Sequence, residues 1–189
     1  LYQRGHEVDG YIEHREDKEQ PVELQYGAAH EVQLEPGGLL QRIAGRNSAQ
    51  VNSLHTQGVN RLGAGLRPEA TAADGLIEAF SVAGSPALAL GVQWHPEWQV
   101  RDNPFYLSIF QAFGDACRAH KITEVECMVS DLTGIARGKI APTMKFISEK
   151  GMRLPESILL QSVTGDYVED DIYYDLLDPA DIDMICKPD

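Results

Sequence analysis

The stretch Gly91-Val-Gln-Trp-His-Pro-Glu-Trp98 closes an apolar run that begins at Ala87 and is broken only by Gly91 and Gln93. Such continuity predicts a strand buried on both faces, as in a mostly parallel sheet. His95 and Glu97 stand at its end. In an extended chain their side chains leave on the same side, and Pro96 between them fixes φ and restricts the pair. A carboxylate is thereby set where it can hold an imidazole in one tautomer and stabilise its cation. These are two members of a relay of nucleophile, base and orienter; the stretch holds no nucleophile. Spacing alone also admits, and by itself favours, a packed histidine beside Trp94 and Trp98 with Glu97 in solvent.

Composition narrows the classes of function. The chain has 189 residues, 43% of them hydrophobic, which is enough for one ordinary domain or two small ones. Its net charge is −13 and both halves are acidic, so no basic patch is on offer to nucleic acid or an anionic membrane. Apolar stretches fall short of a membrane span, and the opening Leu1-Tyr-Gln-Arg-Gly-His6 is not a signal peptide, which makes a cytoplasmic location the expectation. Cys117, Cys127 and Cys186 are odd in number and without paired spacing, so neither a disulfide framework nor a metal knuckle is indicated. None has the glycine-flanked strand-to-helix turn of an elbow nucleophile. His6, His14, His30 and His120 lack ligand partners at helical or strand spacing and are assigned no chemistry; no metal site is expected.

Taken in order, Glu13-His-Arg-Glu-Asp-Lys-Glu19 reads as a solvated charged run. Ala29 to Glu35 alternates as a strand, Pro36-Gly-Gly38 turns, and Leu39 to Ala44 forms a short helix closed by Gly45. Gln50 to His55 reads as a strand ending in polar residues. Residues 66–72 and 76–82 flank Ala73-Asp74-Gly75, a hairpin signal in which Asp-Gly supplies the positive φ angles of a tight turn. Arg101-Asp-Asn-Pro104 is the entry to a helix whose apolar stripe is Phe105, Ile109, Phe110, Phe113 and Cys117. Beyond residue 119, Lys121 to Ser130 alternates as a strand, Asp131 to Ile140 turns on Gly134 and returns, and Thr143 to Gly151 is a short helix. That order suggests a small α+β unit. Gly134, Arg137, Gly138 and Lys139 do not have P-loop spacing, and a strand rather than a helix accompanies them.

GVQWHPEW, with Asn52-Ser-Leu-His-Thr-Gln57 and Asp74-Gly-Leu-Ile-Glu-Ala79 before it, resembles class I glutamine amidotransferases, and more narrowly the gamma-glutamyl-gamma-aminobutyrate hydrolases of polyamine breakdown. The resemblance implies an α/β fold of flavodoxin-like three-layer type over residues 1–119, represented by its C-terminal part. It implies His95 as general base and Glu97 as its orienter, serving a cysteine that attacks a gamma-glutamyl amide, without a cofactor. It sets Ser53, His55 and Gln57 at the active-site rim toward the small-molecule substrate; read from the residues alone, they cap a strand end. Thr56 stands where the family often has a second histidine. The same resemblance puts the catalytic cysteine upstream of Leu1, so the chain is expected to be a fragment, inactive alone.

Asp131 to Pro142, Leu160-Gln-Ser-Val-Thr-Gly-Asp166 and Asp183-Met-Ile-Cys-Lys-Pro-Asp189 resemble the N-terminal β-grasp domain of glutamine synthetase-like ligases, in the gamma-glutamylputrescine synthetase branch. This implies a β-grasp-like domain over 120–189, an intersubunit loop around Asp166, and an oligomer. ATP and Mg2+ would belong to a synthetase catalytic domain not in the chain. A synthetase-like interface module, or an interaction fragment using an exposed sheet edge, are the other functions considered.

Overall fold

The computed structural model describes residues 1–130, 135–149, 152–155, 157–158 and 183–186. It divides into two compact units, Leu1–His120 and Lys121–Pro188.

In the first unit the elements follow as α1 (Val22–Gln25), β1 (His30–Leu34), α2 (Leu39–Ala44), β2 (Ser48–Val51), β3 (Leu66–Ala72), β4 (Ile77–Val82), β5 (Leu90–Val92) and α3 (Pro104–Ala119). The five strands form one sheet in the order β2-β1-β3-β4-β5, with every neighbouring pair antiparallel. The expected mostly parallel sheet is therefore corrected. A parallel return requires a crossover of a dozen or more residues, and only residues 83–89 separate β4 from β5. The apolar run that suggested a long doubly buried strand yields three strand residues, partly buried at the sheet edge.

Other local expectations hold. Val32 and Leu34 of β1 are buried while Glu31 and Gln33 are exposed, the alternation of a half-buried strand. Gly45 ends α2 in the left-handed region at φ 64°. The β3–β4 hairpin forms, but only Gly75 takes positive φ (88°), so it is not the two-residue turn in which both central residues do. Asp74 instead turns its carboxylate inward.

The core joins Val32, Leu34, Leu40, Val51, Trp94, Phe105, Tyr106 and Ile109. Asn103 caps α3, its side chain accepting from the Phe105 and Tyr106 amides, with Pro104 in the first turn. Periodicity places Phe113 within the buried stripe, yet it is 44% exposed, although Cys117, one turn further along the same stripe, is buried. Tyr106, absent from the expected stripe, is buried in its place. Its hydroxyl accepts the Asn52 amide at 3.0 Å, which gives the phenol a partner in the core, and burial pushes its pKa up. Buried Glu69 of β3 accepts from the Leu40 amide at 2.8 Å and the Ser81 hydroxyl at 2.6 Å, a carboxylate supplied across the sequence to the start of α2.

The second unit contains β6 (Glu124–Ser130) paired antiparallel with β7 (Ala136–Pro142), then α4 (Thr143–Glu149), then β8 (Met152–Pro155) paired antiparallel with β9 (Asp183–Cys186). The strand, strand, helix order expected from the sequence is present; its turn at Gly134 and its stop at Gly151 lie outside the described residues. Gly138 lets the strands approach closely, since a Cβ there would lie 1.9 Å from the Cys127 carbonyl oxygen. No helix among the described residues is long and apolar enough to cross a membrane.

Candidate functional site

His95 lies three residues beyond β5, where the sheet has released the chain. Its main chain is nevertheless bonded at both groups. The His95 amide donates to Asn52 Oδ1 at 2.7 Å, and Asn52 Nδ2 donates to the His95 carbonyl at 3.0 Å. The buried side-chain amide of Asn52, directly after β2, thus does the work of a neighbouring strand. Because the Asn52 amide is itself bonded to Tyr106, one residue ties the His95 backbone to β2 and α3.

His95 to Trp98 forms a tight turn, the Trp98 amide donating to the His95 carbonyl at 3.3 Å. Pro96 occupies the second position, which suits its fixed φ. The pair is therefore held by a turn and not by the extended chain the spacing suggested. Within it, His95 Nδ1 lies 2.5 Å from Glu97 Oε1. An ionised carboxylate only accepts, so Nδ1 carries the proton and the neutral ring presents a lone pair at Nε2. Nε2 has no hydrogen-bond partner among the described residues, and the His95 side chain is 40% exposed. Tyr26 stands edge-on to His95 at 5.6 Å between centroids and packs on Trp98 at 4.7 Å. The arrangement can take up a proton at Nε2 and stabilise the resulting cation through Glu97.

Ser53, His55 and Gln57 have other partners. The Ser53 hydroxyl donates to the His14 carbonyl at 2.7 Å. His55 Nδ1 donates to the Gln57 carbonyl at 2.8 Å, and its Nε2 lies 3.4 Å from Glu78 Oε1. Gln57 is exposed, and its amide donates to Gln3 at 2.6 Å. No hydrogen bond or ion pair joins these three to His95 or Glu97 among the described residues. Asp166 lies outside the described residues. Cys117 is buried within α3 and Cys127 lies in β6.

His14 and His30, to which the sequence assigned no chemistry, stand beside a buried carboxylate. His14 Nε2 donates to Asp74 Oδ2 at 2.8 Å, while its Nδ1 lies 3.3 Å from Glu78 Oε1. His30 Nε2 lies 3.7 Å from the same oxygen. Burial holds the His30 pKa below the ordinary histidine value against the pull of Glu78. For His55 burial acts in the same direction, but the Glu78 carboxylate and the Gln57 carbonyl outweigh it and the pKa is raised. Asp74 is also penalised by burial, yet bonds from the Leu76 amide, His14 and the Ile12 amide hold it below the usual carboxylate range. The sequence signal was too sparse to find: His14 and Asp74 are 60 residues apart, and no spacing rule connects residues on a loop and several strands.

The sequence pattern of the family described as Peptidase C26 matches residues 1–97, ending on Glu97. A gamma-glutamyl-gamma-aminobutyrate hydrolase of Escherichia coli is 49% identical over 110 residues, covering 58% of this chain and 43% of the relative. One from Shigella flexneri is 48% identical over the same length and shares. The chain thus spans less than half the length of these relatives. Matching residues 1–97 at the level of the family, and carrying the resemblance to class I glutamine amidotransferases in the same segment, the chain belongs to the peptidase C26 family.

Proposed function

We propose that the complete protein carrying this chain is a cysteine-dependent gamma-glutamyl hydrolase that splits gamma-glutamyl-gamma-aminobutyrate into glutamate and gamma-aminobutyrate. The observation that carries the reading is the His95–Glu97 pair, bonded at 2.5 Å through Nδ1 with Nε2 left for a reacting group. In the mechanism, His95 Nε2 takes the proton of the cysteine thiol as sulfur attacks the gamma-carbonyl. It returns that proton to the departing amine, leaving a gamma-glutamyl thioester. His95 then deprotonates the water that cleaves the thioester and reprotonates the thiolate. Glu97 keeps the ring in the productive tautomer throughout. Ser53, His55 and Gln57 would bind substrate at the rim, no cofactor takes part, and unit one would be the C-terminal part of a flavodoxin-like three-layer domain.

The test is hydrolysis of gamma-glutamyl-gamma-aminobutyrate by the protein expressed from the complete reading frame. Glu97→Gln is expected to lower kcat by about 10²–10⁴-fold with KM little changed, and His95→Ala by at least as much. Activity within tenfold of wild type in His95→Ala would sink the reading.

The strand, strand, helix order of β6, β7 and α4 favours a second reading for residues 120–189, as the β-grasp-like N-terminal module of a gamma-glutamylputrescine synthetase joined to the hydrolase. Asp166 would then lend a loop to a neighbouring subunit whose catalytic domain binds ATP and Mg2+. Reading the frame downstream tests it: carboxylate metal ligands of such a domain are expected, and their absence removes this reading without touching the first.

A further inference from the structure

Four segments of the first unit converge on one carboxylate. His14 comes from the loop before α1, His30 from the start of β1, His55 from the chain after β2, and Glu78 from β4. Glu78 is fully buried, and His14 is 3% exposed. Around Glu78 Oε1 lie His14 Nδ1 at 3.3 Å, His55 Nε2 at 3.4 Å and His30 Nε2 at 3.7 Å. Both Glu78 oxygens, His30 Nε2 and His55 Nε2 are buried without a hydrogen-bond partner.

Buried polar atoms in such number, facing one another, require a partner that all of them accept. The outer nitrogens decide its charge. His14 gives its Nε2 proton to Asp74, and His55 gives its Nδ1 proton to the Gln57 carbonyl. In the neutral rings of His14 and His55, the inner nitrogens therefore carry lone pairs, aimed at a carboxylate that has only lone pairs to return, the Ser53 hydroxyl at 3.3 Å being the other neighbour of His14 Nδ1. A cation among them converts each repulsion into a bond.

We propose that His14, His30, His55 and Glu78 form a structural zinc site. The distances fit the ion. A tetrahedral site with bonds of about 2.0–2.1 Å has ligand atoms about 3.3–3.4 Å apart, close to the three separations measured from Glu78 Oε1. The ligand atoms of His14, His30 and Glu78 all lie within 4.8 Å of one another, and His55, outside that group, brings its Nε2 to 3.4 Å from Glu78 Oε1 as the fourth ligand. Three imidazoles and a carboxylate are ligands that zinc prefers over calcium or magnesium. The Asp74–His14 and Gln57–His55 bonds are the supports that metal-bound imidazoles ordinarily have. Four protein ligands in a buried position leave no open coordination place, so the role is to cross-link the loop to three regions of the sheet. The site is separate from the His95–Glu97 pair and does not depend on the hydrolase reading.

The test uses the 189-residue chain stripped with a chelator and titrated with Zn2+ against a chromogenic competitor, and with Co2+ followed by its visible spectrum. One zinc per chain is expected, with Kd below about 1 μM. Co2+ should give the intense bands of tetrahedral coordination, and saturating zinc should raise Tm by about 5 °C or more. His30→Ala and Glu78→Gln should each weaken zinc binding more than about 100-fold, and Asp74→Asn about 10–100-fold, while His95→Ala leaves it unchanged. Octahedral Co2+ spectra, less than one zinc per chain, or binding that survives Glu78→Gln or disappears with His95→Ala would overturn the site. The wild-type stoichiometry and Co2+ spectrum decide the matter even where a variant does not fold.

Discussion

Replacing Asn52 with alanine removes both partners of the His95 main chain and leaves the bond from the residue-52 backbone amide to the Tyr106 hydroxyl in place. The unpaired amide and carbonyl are expected to lower stability by about 1–3 kcal/mol, read as a lower urea midpoint with an unchanged m value. On the proposed hydrolase reading, the same variant should reduce kcat through displacement of His95 Nε2, since it touches no reacting atom. Asn52, Ser53 and His55 lie within four residues, yet they face different partners: the His95 backbone, the His14 carbonyl and the Glu78 carboxylate. Their residue types are legible in the sequence as polar ends of a strand. Which partner each takes is not, because every partner arrives from a distant segment.

At the scale of elements, Glu69 and α2 show how a strand residue can hold a helix start. Glu69→Ala orphans the Leu40 amide and the Ser81 hydroxyl, and a loss of about 1–3 kcal/mol in denaturant unfolding is expected for such buried donors. Glu69→Gln keeps one acceptor oxygen and should lose less. Helix α3 was readable at its entry, where Asn103 and Pro104 act locally, and in its stripe as far as buried Cys117, with Phe113 the exposed exception. Periodicity gives the face of a helix; how far along that face the core extends is set by what the sheet places beneath it. The same distinction explains β5. Its apolar content marked a strand, but pairing direction followed from the short connection, while Gly91 makes room for the Phe80 ring opposite it, where a Cβ would lie 2.9 Å away.

For the molecule as a whole, the two compact units have separate interior contacts, and disruption of one should be read first within it. Phe105→Ala empties the centre of the first unit and is expected to cost about 3–5 kcal/mol, with accelerated hydrogen exchange across β1 to α3 measured by mass spectrometry. Gly138→Ala drives a methyl group into the Cys127 carbonyl and should accelerate exchange in β6 and β7. If either variant gives the pattern of the other, the division at residues 120 and 121 does not describe the folding units. The sequence by itself determined whatever rests on neighbours along the chain: the strand alternation of β1, the Gly45 helix stop, the Asn103 cap, and a histidine with its carboxylate two residues away. Only the tertiary structure decided the antiparallel order of the sheet, the Asn52 clamp on His95, and the gathering of His14, His30 and His55 around Glu78. These depend on which segments meet, and a meeting of segments is fixed by the packing of the whole sheet, not by any spacing within one stretch.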